Sequence, residues 1–242
     1  MLGVFPDTAI IESLLKAIEN QNKADYGFQI FTTSQNWTVP ANLRKPIHIL
    51  AIGGGGGGGG GYSSTYVGGG GGSGAVQYAK LIVTPGTELT ISVGAGGSAG
   101  RGGASPTAGG GGGYTFVYLS SATLSYNVGA APGSGGGAAS SSANGTAGAG
   151  GPTGWGVLAT AQGSTPMFVL NGYMIAGQSG SGQTPGLAPV ENPTFNGSSG
   201  MTYGNAQDGQ AQLSYGAGGF GGGVNANGNP GIQGAVVIWW GD

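Results

Sequence analysis

The sequence predicts a mainly β protein in which β-sandwich-like strands flank packed polyglycine-II helices, preceded by one short N-terminal α-helix. Three observations lead to this fold class. Glycine supplies 60 of the 242 residues and is concentrated in uninterrupted runs, the longest at residues 53–61. Strand-like apolar segments recur within a few residues of every run. An amphipathic helical pattern is confined to the first 25 residues.

The glycine runs at 53–61, 68–72 and 109–113 are either flexible linkers or ordered parts of the fold. A polyglycine-II helix has three residues per turn and points its N–H and C=O groups outward, so neighbouring helices can satisfy one another. Ordering nine glycines costs on the order of 9 to 18 kcal/mol of backbone entropy. A single run is therefore unstable alone. The strands that reappear after each run favour ordered, packed helices.

Residues 1–27 are predicted to form an N-terminal helix for docking or oligomerisation, and residues 28–242 a glycine-rich domain. Asp7 or Thr8 can cap the helix, which is too short to be stable without burying its apolar stripe. The stripe packs on its own domain, or it docks on a partner or on copies of itself; the sequence leaves these alternatives open. The stripe consists of Ile10, Ile11, Leu14, Leu15 and Ile18.

Alternating and continuous apolar runs predict the strands. A turn at Pro85-Gly86 predicts that the strands on either side of it form a hairpin. The segments 114–119 and 124–128 are predicted to form a further pair. The apolar C-terminal strand is expected to pair near the first strands, because it needs a sheet partner. The predicted strands are residues 28–33, 46–52, 75–83, 88–93, 114–119, 124–128 and 235–240.

Charge is scarce and unevenly placed. Only 6% of residues are charged, the net charge is −2, and no Lys or Arg follows Arg101. Binding to nucleic acid or to anionic lipid requires many cations, so both are excluded as functions. No apolar run predicts membrane insertion, and the first residues lack the pattern of a signal peptide. Binding by this surface is expected to depend on shape, hydrogen bonds and aromatic rings, and only weakly on salt.

Residues that carry catalysis or bind metal are few. The chain has no cysteine, and His48, its one histidine, lies in an apolar strand and is interpreted as a packed or edge residue. The acids beyond residue 45 are Glu88, Glu191, Asp208 and Asp242, and no motif brings them together. The sequence therefore predicts no enzyme, no cofactor and no metal site.

Aromatic residues among Ser, Thr, Asn and Gly are the candidate binding groups, because rings supply contact area at low entropic cost. Two of them flank the short loop between the first two glycine runs, and four lie in the less glycine-dense region from 152 to 215. The alternative role is to cap the ends of the glycine layers. The candidates are Tyr62, Tyr66, Trp155, Tyr173, Phe195 and Tyr203.

An ordered series of motifs carries a resemblance to a known family. The series is Asn36-Trp37-Thr38-Val39-Pro40, the glycine runs at 53–61 and 68–72, Thr84-Pro85-Gly86-Thr87-Glu88-Leu89-Thr90-Ile91-Ser92-Val93-Gly94-Ala95-Gly96-Gly97 and Gly234-Ala235-Val236-Val237-Ile238. It resembles the glycine-rich domain of bacteriophage tail-fibre and virion proteins. The glycine tracts are also similar to the polyglycine-II sandwich of phage tail-tip adhesins. The chain departs from those adhesins in its many strands and in having a short helix instead of a large attachment domain.

The resemblance implies a role at the virion surface after synthesis in the host cytoplasm. The first hypothesis is a fibre or spike protein that recognises a host-surface glycan or protein through the loops between glycine tracts. The second is a purely structural component such as a capsid decoration, collar or fibre shaft. The third is a cellular extracellular or ice-binding glycine-rich protein, which comes last because the Thr residues are scattered. Expected partners are other virion proteins, reached through the N-terminal helix, and further copies of the chain in a homo-oligomer such as a trimer.

Overall fold

The computed structural model describes residues 26–121, 124–152, 158–161, 169–175, 182–184 and 215–241. For residues 119–121, 124–127, 158–161 and 169–175 the backbone alone is described. The predicted N-terminal helix, with its stripe from Ile10 to Ile18, lies outside these residues. Within them the chain forms ten strands and no helix, and hence no helix able to cross a membrane. The mainly β prediction is confirmed.

The ten strands form two antiparallel sheets of five strands each. Sheet 1 has the order β1-β10-β3-β4-β9, and sheet 2 has the order β2-β5-β6-β7-β8. The strands are β1 Gly27–Phe31, β2 Gln35–Thr38, β3 Ile47–Ile52, β4 Val76–Leu81, β5 Glu88–Ser92, β6 Thr115–Ser121, β7 Leu124–Ala130, β8 Leu158–Ala161, β9 Val169–Ile175 and β10 Ala235–Trp240.

Strand β3 lies at the centre of sheet 1 and is buried on both faces. Ile47, Ile49 and Ala51 join a hydrophobic cluster that also takes residues from sheet 2, whereas Leu50 and Ile52 join a second cluster on the opposite face. Successive side chains of a strand point to opposite faces. The continuous apolar run of this strand is therefore explained by burial on two sides rather than by a helix.

The predicted hairpin around Pro85-Gly86 is wrong. The turn exists, with Gly86 at a φ of 80° and the Thr87 N–H donating to the Thr84 carbonyl at 3.2 Å. However, β4 pairs with β3 and β9, while β5 pairs with β2 and β6 in the other sheet. Hydrophobic alternation fixes which face of a strand is buried but not which strand it pairs with. The turn therefore connects the two sheets.

Two other pairing predictions are confirmed. Strands β6 and β7 pair along their whole length, and β10 returns between β1 and β3. Strand β2 was not predicted, because Gln35, Asn36 and Thr38 expose polar side chains and only Trp37 is buried. Strands β8 and β9 were not predicted either.

Eight glycine-rich segments connect the strands, and they are numbered here in chain order. Their backbones have no helical or sheet pattern of their own, and they pair instead with one another. They are segment 1 (53–61), segment 2 (68–74), segment 3 (94–103), segment 4 (107–113), segment 5 (131–139), segment 6 (145–151), segment 7 (216–223) and segment 8 (228–234).

Segment 1 lies at the centre of this region and hydrogen bonds with a three-residue period. The N–H groups of Gly56 and Gly59 donate to segment 2, at 2.8 Å in both cases. The N–H groups of Gly54, Gly57 and Gly60 donate to segment 4, and those of Gly55 and Gly58 donate to segment 8. Along residues 54–61, successive carbonyl groups accept in turn from segments 5, 3 and 7, again with a three-residue period. Six segments therefore surround segment 1 and satisfy its backbone polar groups.

The packing leaves no room for side chains in segment 1. A Cβ atom added at any of its nine glycines would lie between 1.7 and 2.2 Å from a backbone carbonyl oxygen of another residue. Non-glycine residues of segment 3, by contrast, occupy outward positions, where Ala95, Ser98 and Arg101 are exposed. The glycines of segment 1 are therefore required by space, whereas segment 3 accommodates side chains on its outward face.

Candidate binding surface at the distal loops

Four loops lie together at the end of the glycine region that is remote from the sheets. Segments 3, 5 and 7 run in the same direction as segment 1, since the Gly103, Ala139 and Gly222 N–H groups donate to the carbonyls of Gly61, Gly60 and Gly59. Each of these segments therefore ends at the same level. The loops that follow are residues 62–67, 104–106, 140–144 and 224–227, called here the distal loops.

Hydrogen bonds link three of the distal loops directly, and the end of segment 3 joins them just before the fourth loop. Tyr62 forms an isolated parallel bridge with Gly103, and its carbonyl accepts from the Asn225 N–H at 2.9 Å. On the other side, the Val67 N–H donates to the Asn144 side-chain oxygen at 3.0 Å. The loops therefore form one connected surface, called here the distal surface.

Short polar side chains close these loops. The Ser140 Oγ accepts from the Ala143 N–H at 3.0 Å, the local side-chain-to-backbone bond that favours turns. Asn225 adopts a φ of 58°, a conformation that asparagine tolerates better than most residues. Exposed Ser63, Ser64 and Thr65 form the outermost part of the first loop. The resulting surface is rich in hydroxyl and amide groups.

Tyr62 and Tyr66 lie at the two ends of the first loop, where their backbones meet. The Tyr62 N–H donates to the Tyr66 carbonyl at 2.8 Å, which closes the turn between segments 1 and 2. Both side chains are half-buried. This position fits the predicted alternative of capping the glycine layers, and it leaves part of each ring accessible at the distal surface.

The other predicted binding residues are not brought to this surface by the described part of the chain. Tyr173 lies in β9, in register with Tyr78 of β4, and so belongs to sheet 1; its side chain is not described. Trp155, Phe195 and Tyr203 lie outside the described residues. Their role in binding stays a prediction.

Arg101 supplies the single formal charge of the eight segments and the distal loops. Its side chain is exposed near the end of segment 3, and its N–H donates to the Thr107 hydroxyl at 2.8 Å. The next residue, Gly102, donates its N–H to the Asn227 side-chain oxygen at 2.8 Å. Sequence reasoning missed Arg101, Asn225 and Asn227 as candidates. The available signal was the position of short polar insertions at the ends of glycine runs.

His48 is packed, in agreement with the sequence interpretation. It is 7% exposed, its ring stacks on Trp239 at 4.9 Å between centroids, and its Nδ1 lies 2.7 Å from the Tyr78 hydroxyl. These contacts place it on sheet 1, away from the distal surface. Across the described residues, no group of three or more His, Cys, Asp or Glu side chains is arranged to hold a metal ion.

The chain matches a known protein family along most of its length. Residues 31–241 match a family model described as the glycine-rich domain. The match begins at the last residue of β1 and covers the other nine strands, the eight segments and the distal loops. No curated protein sequence matches the chain.

Proposed function

The chain belongs to the glycine-rich domain family, and on that premise we propose that it is a bacteriophage surface fibre or spike protein that recognises the host cell through its distal surface. The observation that carries this proposal is the convergence of four loops at one end of a tightly packed scaffold. All nine N–H groups of segment 1, and the carbonyl groups of residues 54–61, are used in internal hydrogen bonds. Recognition is therefore assigned to the loops, as is common where a rigid scaffold positions variable segments.

The scaffold is part of the same proposal. We take the eight segments to be polyglycine-II helices and the two sheets to form a β-sandwich beside them. The three-residue hydrogen-bond period supports the first assignment, since a polyproline-II-type helix has three residues per turn. One hydrophobic cluster drawn from both sheets supports the second. Such a scaffold holds the distal loops in fixed relative positions.

The chemistry of the distal surface suits a host-surface glycan or protein. Its exposed residues are mainly Ser, Thr and Asn, with two tyrosine rings between them. Hydroxyl and amide groups adapt their hydrogen bonds to a ligand, and tyrosine adds contact area at low entropic cost. Attachment to other virion proteins is assigned to residues 1–27, with a homo-oligomer such as a trimer as the assembled form.

The test is adhesion of the purified protein to host cells. The wild type is expected to bind cells and to compete with virus adsorption. A variant with Ser63, Ser64 and Thr65 changed to glycine is expected to lose binding while keeping its melting temperature. The matched control changes Thr84 and Thr87, which flank the turn between the sheets, to glycine as well. It is expected to bind as the wild type does. A wild-type protein that neither adheres nor competes contradicts the proposal.

A purely structural role in the virion is the second candidate. The dense backbone packing of segment 1 and the low charge of the chain favour it, because both are suited to a durable shell. Mass spectrometry of purified particles would measure presence and copy number. A protein present in particles whose loop variant leaves adsorption unchanged would be structural and not a receptor-binding protein.

A further inference from the structure

We propose that the ligand of the distal surface is a saccharide bearing one anionic group, a carboxylate or a phosphate, and that Arg101 binds this group with Asn225, Asn227 and Tyr62 around it. This inference rests on the proposed function and names the substrate class for the same surface. It is carried by the arrangement of these four residues and by the charge of the region.

The backbone holds Arg101 rigidly while its side chain stays exposed. Its N–H donates to the Thr107 hydroxyl, and its carbonyl accepts from the Thr107 N–H at 2.9 Å. Two residues further on, Gly103 bridges Tyr62 and donates to the Gly61 carbonyl at 3.0 Å. The guanidinium therefore extends from a fixed point at the rim of the distal surface.

Two asparagines lie beside Gly102 and Gly103, the two residues that follow Arg101. Asn227 uses its side-chain oxygen to accept from the Gly102 N–H, which leaves its amide NH₂ as the group available to a ligand. Asn225 is fixed beside it, because its N–H donates to the Tyr62 carbonyl. Guanidinium has five N–H donors and no acceptor. The cluster is therefore suited to a ligand rich in acceptor oxygens.

The charge of Arg101 is not neutralised by the surrounding segments. The eight segments and the distal loops contain no Asp or Glu. Among the described residues the one carboxylate is Glu88 on β5, in sheet 2, and it accepts from the Asn36 amide at 2.9 Å. An exposed guanidinium in this setting is suited to a fork-like pair of hydrogen bonds with a carboxylate or phosphate.

A single cation also limits the ligand to one anionic group at this site. Polyanions such as nucleic acid or a heavily sulfated polysaccharide are bound by several cations together. Here the other groups are a half-buried tyrosine ring, neutral amides and the exposed side chain of Val224, which suit the apolar face and hydroxyl oxygens of a sugar. The combination therefore favours a saccharide with a single anionic group over a polyanion.

The experiment compares three probes that share one sugar ring: methyl β-glucuronide, glucose 6-phosphate and methyl β-glucoside. Binding is measured by NMR titration of the full-length protein in the millimolar range. The wild type is expected to bind at least one anionic probe more tightly than the neutral one, and the two anionic arms identify whether carboxylate or phosphate is preferred. R101Q is expected to weaken that binding about 10- to 100-fold, the range for a hydrogen bond to a charged group.

Two further variants keep the result interpretable. R44Q removes one positive charge outside the distal surface and is expected to leave binding unchanged. R101K keeps the charge but loses the fork geometry, and an intermediate affinity is expected. Equal binding of neutral and anionic probes, no binding of any probe, or unchanged binding by R101Q would overturn the inference. Adhesion to host cells by both the wild type and R101Q would overturn it while leaving the proposed function intact.

Discussion

The sheets and the glycine segments satisfy the same backbone groups in different ways. A strand such as β3 bonds to two neighbours and is stabilised by side chains on both faces, where Ile47 and Ile52 are completely buried. Segment 1 continues the same chain, bonds to six neighbours and has no side chains. Between residues 52 and 53 the source of stability thus changes from side-chain packing to direct contact between backbones.

This difference determines what each region tolerates. A buried aliphatic side chain in a sheet can be shortened at moderate loss, because the transfer and cavity terms scale with the atoms removed. In segment 1 nothing can be shortened, and a single added methyl group meets a carbonyl oxygen. The carbonyls that it would meet belong to segments 3, 5 and 7, and each already accepts a hydrogen bond that would break if the carbonyl moved. The following substitutions compare the two regions, starting with the largest expected effect.

Gly57→Ala is expected to prevent folding or to reduce the unfolding free energy by more than about 4 kcal/mol, an exceptional value for one methyl group. The added Cβ would lie 2.0 Å from the Ser98 carbonyl oxygen. The matched control is Gly111→Ala in segment 4, where the nearest atom is 3.8 Å away and the residue is exposed. The control is expected to change stability by less than about 0.5 kcal/mol.

Denaturant unfolding of both variants measures this contrast, and the solubility of Gly57→Ala reports on folding if the variant cannot be purified. Equal stability of the two variants would contradict the packing of segment 1 and would favour the linker interpretation of its glycines.

Ile49→Ala tests the side-chain mode of stabilisation in the adjoining strand. Ile49 is 0% exposed in the cluster shared by the two sheets, so a loss of about 2 to 5 kcal/mol is expected from the lost burial and the cavity. Ile82→Ala is the control, since Ile82 is 40% exposed and its loss should be below about 1 kcal/mol. Thermal unfolding followed by circular dichroism compares the two variants. A change at Ile49 no larger than at Ile82 would contradict the shared cluster.

The same contrast explains what could be predicted from the sequence. Side-chain patterns identified β3, the β6–β7 pair and β10, because burial on one or two faces leaves a period in the sequence. They did not identify the partner of β5, since alternation has no information about neighbours. The three-residue spacing of Ala95, Ser98 and Arg101 fits the outward face of segment 3 that the structure shows, although no prediction was made from it. It could not indicate which segments lie beside it.

The distal surface was predictable only as separate loops. Tyr62 and Tyr66 were found because rings stand out among glycines. The proximity of Asn225 and Asn227 to Arg101 depends on segments 3 and 8 lying side by side, with the Gly231 N–H donating to the Gly97 carbonyl at 2.9 Å. That contact joins residues far apart in the chain, and no local pattern encodes it.

Asn227→Ala tests a third kind of stabilisation, in which a side-chain oxygen, rather than a backbone carbonyl, accepts the hydrogen bond of a segment N–H group. The variant leaves the Gly102 N–H without its partner, and a loss of about 0.5 to 1.5 kcal/mol is expected. Gly102 is half-buried, so water replaces part of the lost bond. Ser141→Ala, at an exposed site in another distal loop, is the control and should be neutral. Hydrogen exchange of the Gly102 amide should accelerate in Asn227→Ala alone; unchanged protection would contradict this role.

Asn225→Gly gives the smallest expected effect. It distinguishes two reasons why a position can favour glycine: lack of space for a side chain, and a left-handed backbone conformation. At Gly57 glycine is required by space, whereas the φ of 58° at Asn225 calls for conformational freedom. Asn225→Gly is therefore expected to change the unfolding free energy by only a few tenths of a kcal/mol, while Asn225→Ala should lose about 1 kcal/mol from left-handed strain. Denaturant unfolding of the pair measures the difference. If Asn225→Ala were as stable as Asn225→Gly, the distal loop would be free to leave this conformation, and the hydrogen bond from the Asn225 N–H to Tyr62 would not hold the two loops together.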